Sequence, residues 1–99
     1  MLVIKTKITS FITDDQPGWV QCIFIDAWNA EHFVIEKIPV LTDKYLDAFS
    51  HYPQDGFIAC ELLTKWKDKN SRTILTVTTV RPIGISSIDN LTEFDLEEG

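Results

Sequence analysis

The sequence is poor in the residues that most often build catalytic and cofactor sites. Its 99 residues include only four glycines, two cysteines and two histidines. No Gly-rich phosphate loop, Gly-x-Ser-x-Gly elbow, Cys-x-x-Cys pair or His-x-x-x-His pair occurs. Zinc needs three or four cysteine, histidine or acidic ligands in register, and an activated nucleophile needs a neighbouring base. The sequence therefore predicts no catalytic residues, no metal site and no cofactor.

Long apolar runs are also missing. The segment Met1–Ile8 begins apolar but is interrupted by two lysines, whereas a signal peptide needs about seven or more consecutive apolar residues. No window approaches the roughly 18 apolar residues of a membrane-spanning helix. We therefore expect a cytoplasmic protein with one domain over residues 1–99. In that compartment Cys22 and Cys60 are expected to be reduced core thiols, although a single disulfide between them would also fit.

Basic residues are absent from the last part of the chain. The net charge is −6, and residues 1–82 carry ten acids and nine bases, whereas residues 83–99 carry five acids and no base. Binding to nucleic acid or to an anionic membrane depends on clustered lysine and arginine, so neither is an expected partner. The charge instead favours a basic protein partner. The alternative is that the acids only keep the protein in solution.

What the sequence does have is short runs of β-branched and aromatic residues. Their alternation or density predicts strands over Leu2–Thr13, Trp19–Asp26, Glu31–Ile38, Phe57–Trp66, Arg72–Arg81 and Glu93–Leu96. The second run is apolar on both faces, which indicates a position in the middle of a sandwich or of a closed barrel. The predicted fold class is therefore mainly β: a small antiparallel barrel or half-barrel of five or six strands with at most one short helix.

The connections carry turn signals and one candidate helix. Asp14–Gly18 is expected to form a turn in which Pro17 fixes φ and Gly18 adopts the positive φ of a type II turn. Thr42–Phe49 has a capping residue and apolar residues at helical spacing, so it predicts a short helix or, as the alternative, an irregular loop. After the last strand, residues 95–99 are expected to be a frayed acidic tail.

The strands Trp19–Asp26 and Glu31–Ile38 are predicted to form an antiparallel hairpin with a tight turn at residues 27–30, and two residues of this hairpin carry functional hypotheses. Trp28 occupies its turn, where asparagine, aspartate or glycine is usual. An indole there would contact a partner, and the alternative is that it forms a lid over Trp19 or Phe33. His32 lies four residues before Glu36, but on a strand this spacing separates them by about 13 Å. We therefore expect a partly buried histidine and no acid–base pair.

The acidic residues at the end of the chain are the strongest functional signal. The carboxylates of residues 89–98 would form the negative part of a surface that binds a basic protein. The interleaved apolar residues Leu91, Phe94 and Leu96 would supply the anchors that such an interface needs. The predicted partner-binding residues are Trp28, Asp89, Glu93, Phe94 and Asp95.

A series of short motifs runs between residues 18 and 94. They are Gly18-Trp19-Val20-Gln21-Cys22, Asp26-Ala27-Trp28, His32-Phe33, Glu36-Lys37-Ile38-Pro39-Val40, Tyr52-Pro53-Gln54-Asp55-Gly56, Ala59-Cys60-Glu61 and Arg81-Pro82-Ile83-Gly84. This series resembles a family of small bacterial proteins of unassigned function. It departs at Trp28-Asn29, where the family pattern usually has a glycine. The resemblance implies a shared fold and a bacterial origin, and it implies no catalytic residues.

In general character, a small acidic β-protein also resembles the immunity proteins that bacteria pair with secreted nuclease toxins. This resemblance implies a non-enzymatic binding protein that neutralises a basic toxin, expected to be a nuclease, by covering its active site. The alternative is a small β-barrel adaptor or housekeeping protein with no toxin partner. A small hydrolase that uses His32 or His51 is the weakest hypothesis, because no nucleophile, metal-ligand set or carboxylate pair accompanies them.

Overall fold

Six strands and one short helix make up the fold. The computed structural model describes all 99 residues. In chain order the elements are β1 (Leu2–Thr13), β2 (Trp19–Ile25), β3 (Glu31–Lys37), α1 (Ile38–Leu41), β4 (Gln54–Lys67), β5 (Thr73–Thr78) and β6 (Glu93–Glu97). No helix in the structure is long and apolar enough to cross a membrane. The predicted fold class is confirmed: the chain is a mainly β, antiparallel half-barrel of six strands with one short helix.

The sheet is continuous through its longest strand. The strand order is β3–β2–β1–β4–β5–β6, and every neighbouring pair is antiparallel. The first half of β4, residues 54–60, pairs with β1, and its second half, residues 61–67, pairs with β5. The register slips between Leu62 and Thr64, and such a bulge bends a strand and increases its twist. The long, bent β4 therefore lets the sheet curl around its core.

The core lies on the inner side of the curl. From β2 it receives Val20, Cys22 and Phe24, whereas Ile25 on the opposite face is exposed. The expectation that β2 is covered on both faces is therefore wrong, because no second layer packs on the outer face of the sheet. Both cysteines are free and buried, as expected. Burial raises the pKa of the Cys22 thiol to about 11, which keeps it protonated near neutral pH.

The helix lies earlier in the chain than its predicted position. α1 directly continues β3, and Pro39 stands in its first turn, where the fixed φ of proline suits a helix and its missing N–H has no consequence. The predicted helix at Thr42–Phe49 is an irregular loop. There the Thr42 hydroxyl accepts a hydrogen bond from the Lys44 N–H and the Asp47 carboxylate accepts one from the Phe49 N–H. Such local side-chain bonds compete with helix formation.

Gly18 allows close packing of the turn on its neighbours, and its backbone does not adopt a positive φ. Gly84 is the glycine with positive φ, and Gly18 does not share that conformation, so the type II turn expected at Asp14–Gly18 is wrong. A Cβ atom on Gly18 would lie 3.1 Å from Ile38 Cδ1 and 3.2 Å from Phe11 Cε1. A side chain at this position would press against Ile38 and Phe11, so glycine suits the close approach of the turn to the core.

The end of the chain is paired and does not form the expected frayed tail. β6 continues to Glu97, and the Glu98 N–H donates to the Thr73 carbonyl at 3.0 Å. The physical reason is the alternation in β6: Phe94 and Leu96 pack on the core, which fixes the strand in register with β5. Only Gly99 lies beyond these contacts.

Candidate partner-binding surface

The two ends of the curled sheet meet where the β2–β3 turn lies beside β6. The Ala27 N–H donates to the Asp95 carbonyl at 2.8 Å, and the Ile88 N–H donates to the Phe33 carbonyl at 2.9 Å. Inside this junction the Phe94 ring packs edge-on against His32, with ring centroids 4.9 Å apart. We call the junction of residues 26–33 with residues 87–95 the seam. It joins segments that are about 60 residues apart in the chain.

Asp95 is the centre of a hydrogen-bond network on the outer side of the seam. Its carboxylate accepts hydrogen bonds from Trp28 Nε1 at 3.1 Å and from the Thr76 hydroxyl at 2.6 Å. The Thr76 oxygen in turn accepts from Trp66 Nε1 at 3.0 Å. We call Trp28, Trp66, Thr76 and Asp95 the clasp, because they tie the β2–β3 turn to β4, β5 and β6.

Trp28 lies across the clasp and remains half exposed. Its ring centroid is 6.2 Å from that of Trp66, and the Arg72 guanidinium lies 5.2 Å from its ring centroid. Arg72 also donates to the Ala27 carbonyl at 3.1 Å. The indole therefore packs on Trp66 and not on Trp19 or Phe33, so the lid of the second hypothesis is wrong. With 48% of its surface exposed, Trp28 can still contact a partner, and that role stays a prediction.

Asp26 organises the turn that carries Trp28. One carboxylate oxygen accepts hydrogen bonds from the N–H groups of Trp28 at 2.8 Å and Ala30 at 2.9 Å. The other carboxylate oxygen lies 2.8 Å from His32 Nε2. Burial acts to raise the pKa of Asp26, but the hydrogen bond with His32 and those from the turn amides lower it below its usual value. The sequence signal for this role was available, because an aspartate before a four-residue turn commonly bonds the amides that follow it.

His32 is partly buried, as expected, with Asp26 as its partner and not Glu36. About a tenth of each side chain of this pair is exposed, and the imidazole packs against the rings of Phe24 and Phe94. No hydroxyl or thiol group hydrogen-bonds to the imidazole, and no group of three or more histidine, cysteine or acidic side chains is placed to hold a metal ion. Because Asp26 also accepts hydrogen bonds from the Trp28 and Ala30 N–H groups, the pair stabilises the turn.

The acids at the end of the chain fall into two groups. Glu97 pairs with Arg72 at 3.3 Å and Glu98 with Lys65 at 3.1 Å, while Asp95 is held within the clasp. Asp89 and Glu93 are exposed and have no ion-pair partner. Of the acids predicted to bind a partner, Asp95 therefore serves the fold, and Asp89 and Glu93 are available to solvent.

Glu31 adds a third unpaired carboxylate to the seam. Glu31 is exposed. The next residue, His32, packs on Phe94, and the carbonyl of Phe33 accepts a hydrogen bond from the Ile88 N–H. Residues 8–36 and residues 83–99 each contain five acids and no base, and the seam joins part of the first segment, residues 26–33, to part of the second, residues 87–95. We call Glu31, Asp89 and Glu93 the seam acids. Sequence reasoning missed Glu31 because its neighbours come from the other end of the chain.

Phe94 does not reach the surface. Only 4% of it is exposed, because it faces inward from β6 and packs edge-on against Phe24 with ring centroids 5.0 Å apart. It therefore cannot insert into a partner, and the predicted apolar anchor at this position is corrected to a core residue. The structure brings Trp28, Phe94 and Asp95 together at the seam, with Asp89 and Glu93 beside them.

Fold and seam together define a small curled β-domain with an acidic junction. Comparison of the chain with protein-family models, with curated proteins and with solved structures found no match. The resemblance to a bacterial family and to immunity proteins stays a prediction that rests on the sequence.

Proposed function

We propose that this chain is a non-enzymatic binding protein that docks a basic protein on its seam. In the most specific form of the proposal it is an immunity protein, and its partner is a nuclease toxin whose active site it covers. The observation that carries the proposal is that the junction of residues 26–33 with residues 87–95 contains three exposed carboxylates without an ion-pair partner. Trp28, half exposed, belongs to the same junction.

The seam acids have no counter-ions within the chain. A nuclease binds phosphates with clustered lysine and arginine, and carboxylates on another protein can occupy the same positions. Because the seam acids have no cationic partner within the chain, docking breaks no internal ion pair. Complementary charge also accelerates association, and it does so most strongly at low ionic strength.

Contacts within the fold hold the Trp28 side chain in place. Trp28 is fixed from below by its hydrogen bond to Asp95 and from the side by Trp66. An aromatic residue that is already immobile loses little conformational entropy on binding. Tryptophan is also among the residues that most often dominate the energy of an interface. The seam thus offers a half-exposed aromatic anchor, held between the Asp95 carboxylate and the Arg72 guanidinium, in the same junction as the seam acids.

Capture from the native host tests the proposal. The bait proteins are the wild type, a seam variant (Glu31→Gln, Asp89→Asn, Glu93→Gln) and a control variant (Asp15→Asn, Asp55→Asn, Glu61→Gln) that changes the net charge by the same amount on other surfaces. We expect the wild type and the control to retain a basic protein that the seam variant loses. Purified, that protein should degrade nucleic acid and should be inhibited by one equivalent of the chain.

Two results would contradict the proposal at different levels. If all three baits retain the same proteins, the seam is not the binding surface. If the captured basic protein has no nuclease activity, or keeps it in the complex, the immunity function is wrong although a basic partner exists. The general adaptor would then be the better description.

A further inference from the structure

A second surface lies at the opposite end of the β2–β3 hairpin from the seam. A groove of about 480 Å³ runs between the turn at residues 14–18 and the loop at residues 42–47. Its volume lies within the range of about 300–1,000 Å³ typical of pockets that enclose small ligands. The apolar side chains of Phe11, Ile38 and Leu46 line it. Since a seven-residue strand spans about 23 Å, the groove and the seam are separate surfaces.

The rim of the groove is acidic. Asp14 and Asp43 are exposed and have no ion-pair partner. Asp47 is a third carboxylate, one oxygen of which accepts a hydrogen bond from the Phe49 N–H at 2.8 Å. Lys44 is the one base that lines the groove. The rim therefore carries a net negative charge above an apolar floor, and an acidic or phosphorylated ligand would be repelled.

Two aromatic side chains on the same loop are almost wholly exposed. Tyr45 lines the groove and is 84% exposed, and Phe49 follows on the loop and is 93% exposed. Side chains that bury so little apolar area contribute little to the stability of the fold. Exposed aromatic residues that adjoin a groove are typical of surfaces that contact another molecule.

We propose that this groove binds an extended protein segment in which an arginine or lysine stands next to an apolar residue. The aliphatic part of the basic side chain would lie on Phe11 and Leu46, as such side chains do on apolar surfaces. Its charged end would meet the carboxylates of Asp14 and Asp43 in charge-assisted hydrogen bonds. Tyr45, which lines the same groove and is exposed, would contact the cation through its aromatic ring. This inference goes beyond the proposed function, because it assigns a different surface.

An NMR titration with two peptides of opposite charge tests the inference. The probes are acetyl-Arg-Leu-Arg-Phe-amide and acetyl-Glu-Leu-Glu-Phe-amide, added to the ¹⁵N-labelled chain at low salt. We expect the basic peptide alone to cause saturable shifts at the amides of Phe11, Gly18, Tyr45 and Leu46. The double variant Asp14→Asn, Asp43→Asn should bind it about tenfold more weakly, and Tyr45→Ser should also weaken it. The seam variant should bind it as the wild type does.

Several outcomes would overturn the inference. Shifts that spread over all exposed acids without saturation would indicate non-specific attraction. Equal binding of the acidic peptide, or unchanged affinity in the Asp14→Asn, Asp43→Asn variant, would show that the rim does not select for positive charge. Shifts confined to the seam and lost in the seam variant would refute the groove and leave the proposed function standing. The altered residues are at the surface, and the spectra themselves report whether each variant is folded.

Discussion

Two carboxylates on the same face of β6 have different environments. Asp95 accepts hydrogen bonds from Trp28 and Thr76 and closes the clasp, whereas Glu93, two residues earlier, is exposed and has no partner. The difference comes from the β2–β3 turn, which lies over Asp95 through the hydrogen bond of Ala27 to its carbonyl. An acidic residue in a sequence can therefore serve the fold or remain available to a partner, and its spatial neighbours decide which.

The largest expected effect distinguishes these two carboxylates directly. Asp95→Ala should lower the free energy of unfolding by about 2 kcal/mol, because Trp28 Nε1 and the Thr76 hydroxyl lose their acceptor. Glu93→Ala should change it by less than about 0.5 kcal/mol, as expected for an exposed side chain without partners. Urea denaturation of both variants measures the difference.

Asp95→Asn is the matched control for that comparison. Its amide can accept from Trp28 and donate to Thr76, so it should destabilise the chain less than alanine does. If Asp95→Ala and Glu93→Ala have equal effects on unfolding, the clasp does not stabilise the seam.

A smaller effect is expected when only one bond of the clasp is removed. Trp28→Phe keeps an aromatic ring against Trp66 but removes the N–H that donates to Asp95, and we expect a loss of about 1 kcal/mol in the free energy of unfolding. Trp66→Phe tests the other indole of the clasp in the same way, because it removes the N–H that donates to Thr76. In a double-mutant cycle with Asp95→Ala, Trp28→Phe should add little once the acceptor is gone. Full additivity of the two changes would argue against the bond.

The contribution of Asp26 to the stability of the fold should depend on pH. Because its pKa is lower in the folded chain than in the unfolded chain, the folded state binds fewer protons, and this contribution to stability is present above the unfolded pKa of about 3.9. It is lost as the pH falls through the folded-state pKa. Asp26→Asn should therefore be less stable than the wild type at pH 7, with the difference shrinking toward pH 3. A constant difference across that range would contradict the assignment.

The smallest effect is expected at Glu97. This carboxylate pairs with Arg72 on an open surface, where side-chain entropy and water offset most of the attraction. Glu97→Gln should leave the thermal midpoint almost unchanged, and any difference should vanish in high salt. A large, salt-independent loss would place Glu97 with Asp95 among the carboxylates that build the fold.

The strands could be predicted because their signal is local. Alternation of side chains gave β1 its limits at Leu2 and Thr13, and β-branched density located β5. The helix could not be placed in the same way. Pro39 follows directly on the predicted strand Glu31–Ile38, and a proline there is as compatible with the end of a strand as with the first turn of a helix.

The seam could not be predicted because its contacts are distant in the chain. Nothing in the neighbourhood of Asp95 shows that an indole 67 residues earlier donates to its carboxylate. The division of β4 between β1 and β5 is likewise invisible in the strand's own pattern. Periodicity shows which side of a strand is buried, but the partner of that strand is set by the topology of the whole chain. This is why Phe94 was expected at the surface and Glu31 was overlooked.

The salt dependence of partner binding tests the central claim most directly. The basic protein captured from the host is titrated into the wild type and into the Glu31→Gln, Asp89→Asn, Glu93→Gln variant at low and at high ionic strength. If the seam acids dock that protein, the wild type should bind much more tightly at low salt, and the variant should bind weakly with little response to salt. Equal affinity and equal salt response in the two proteins would contradict the claim.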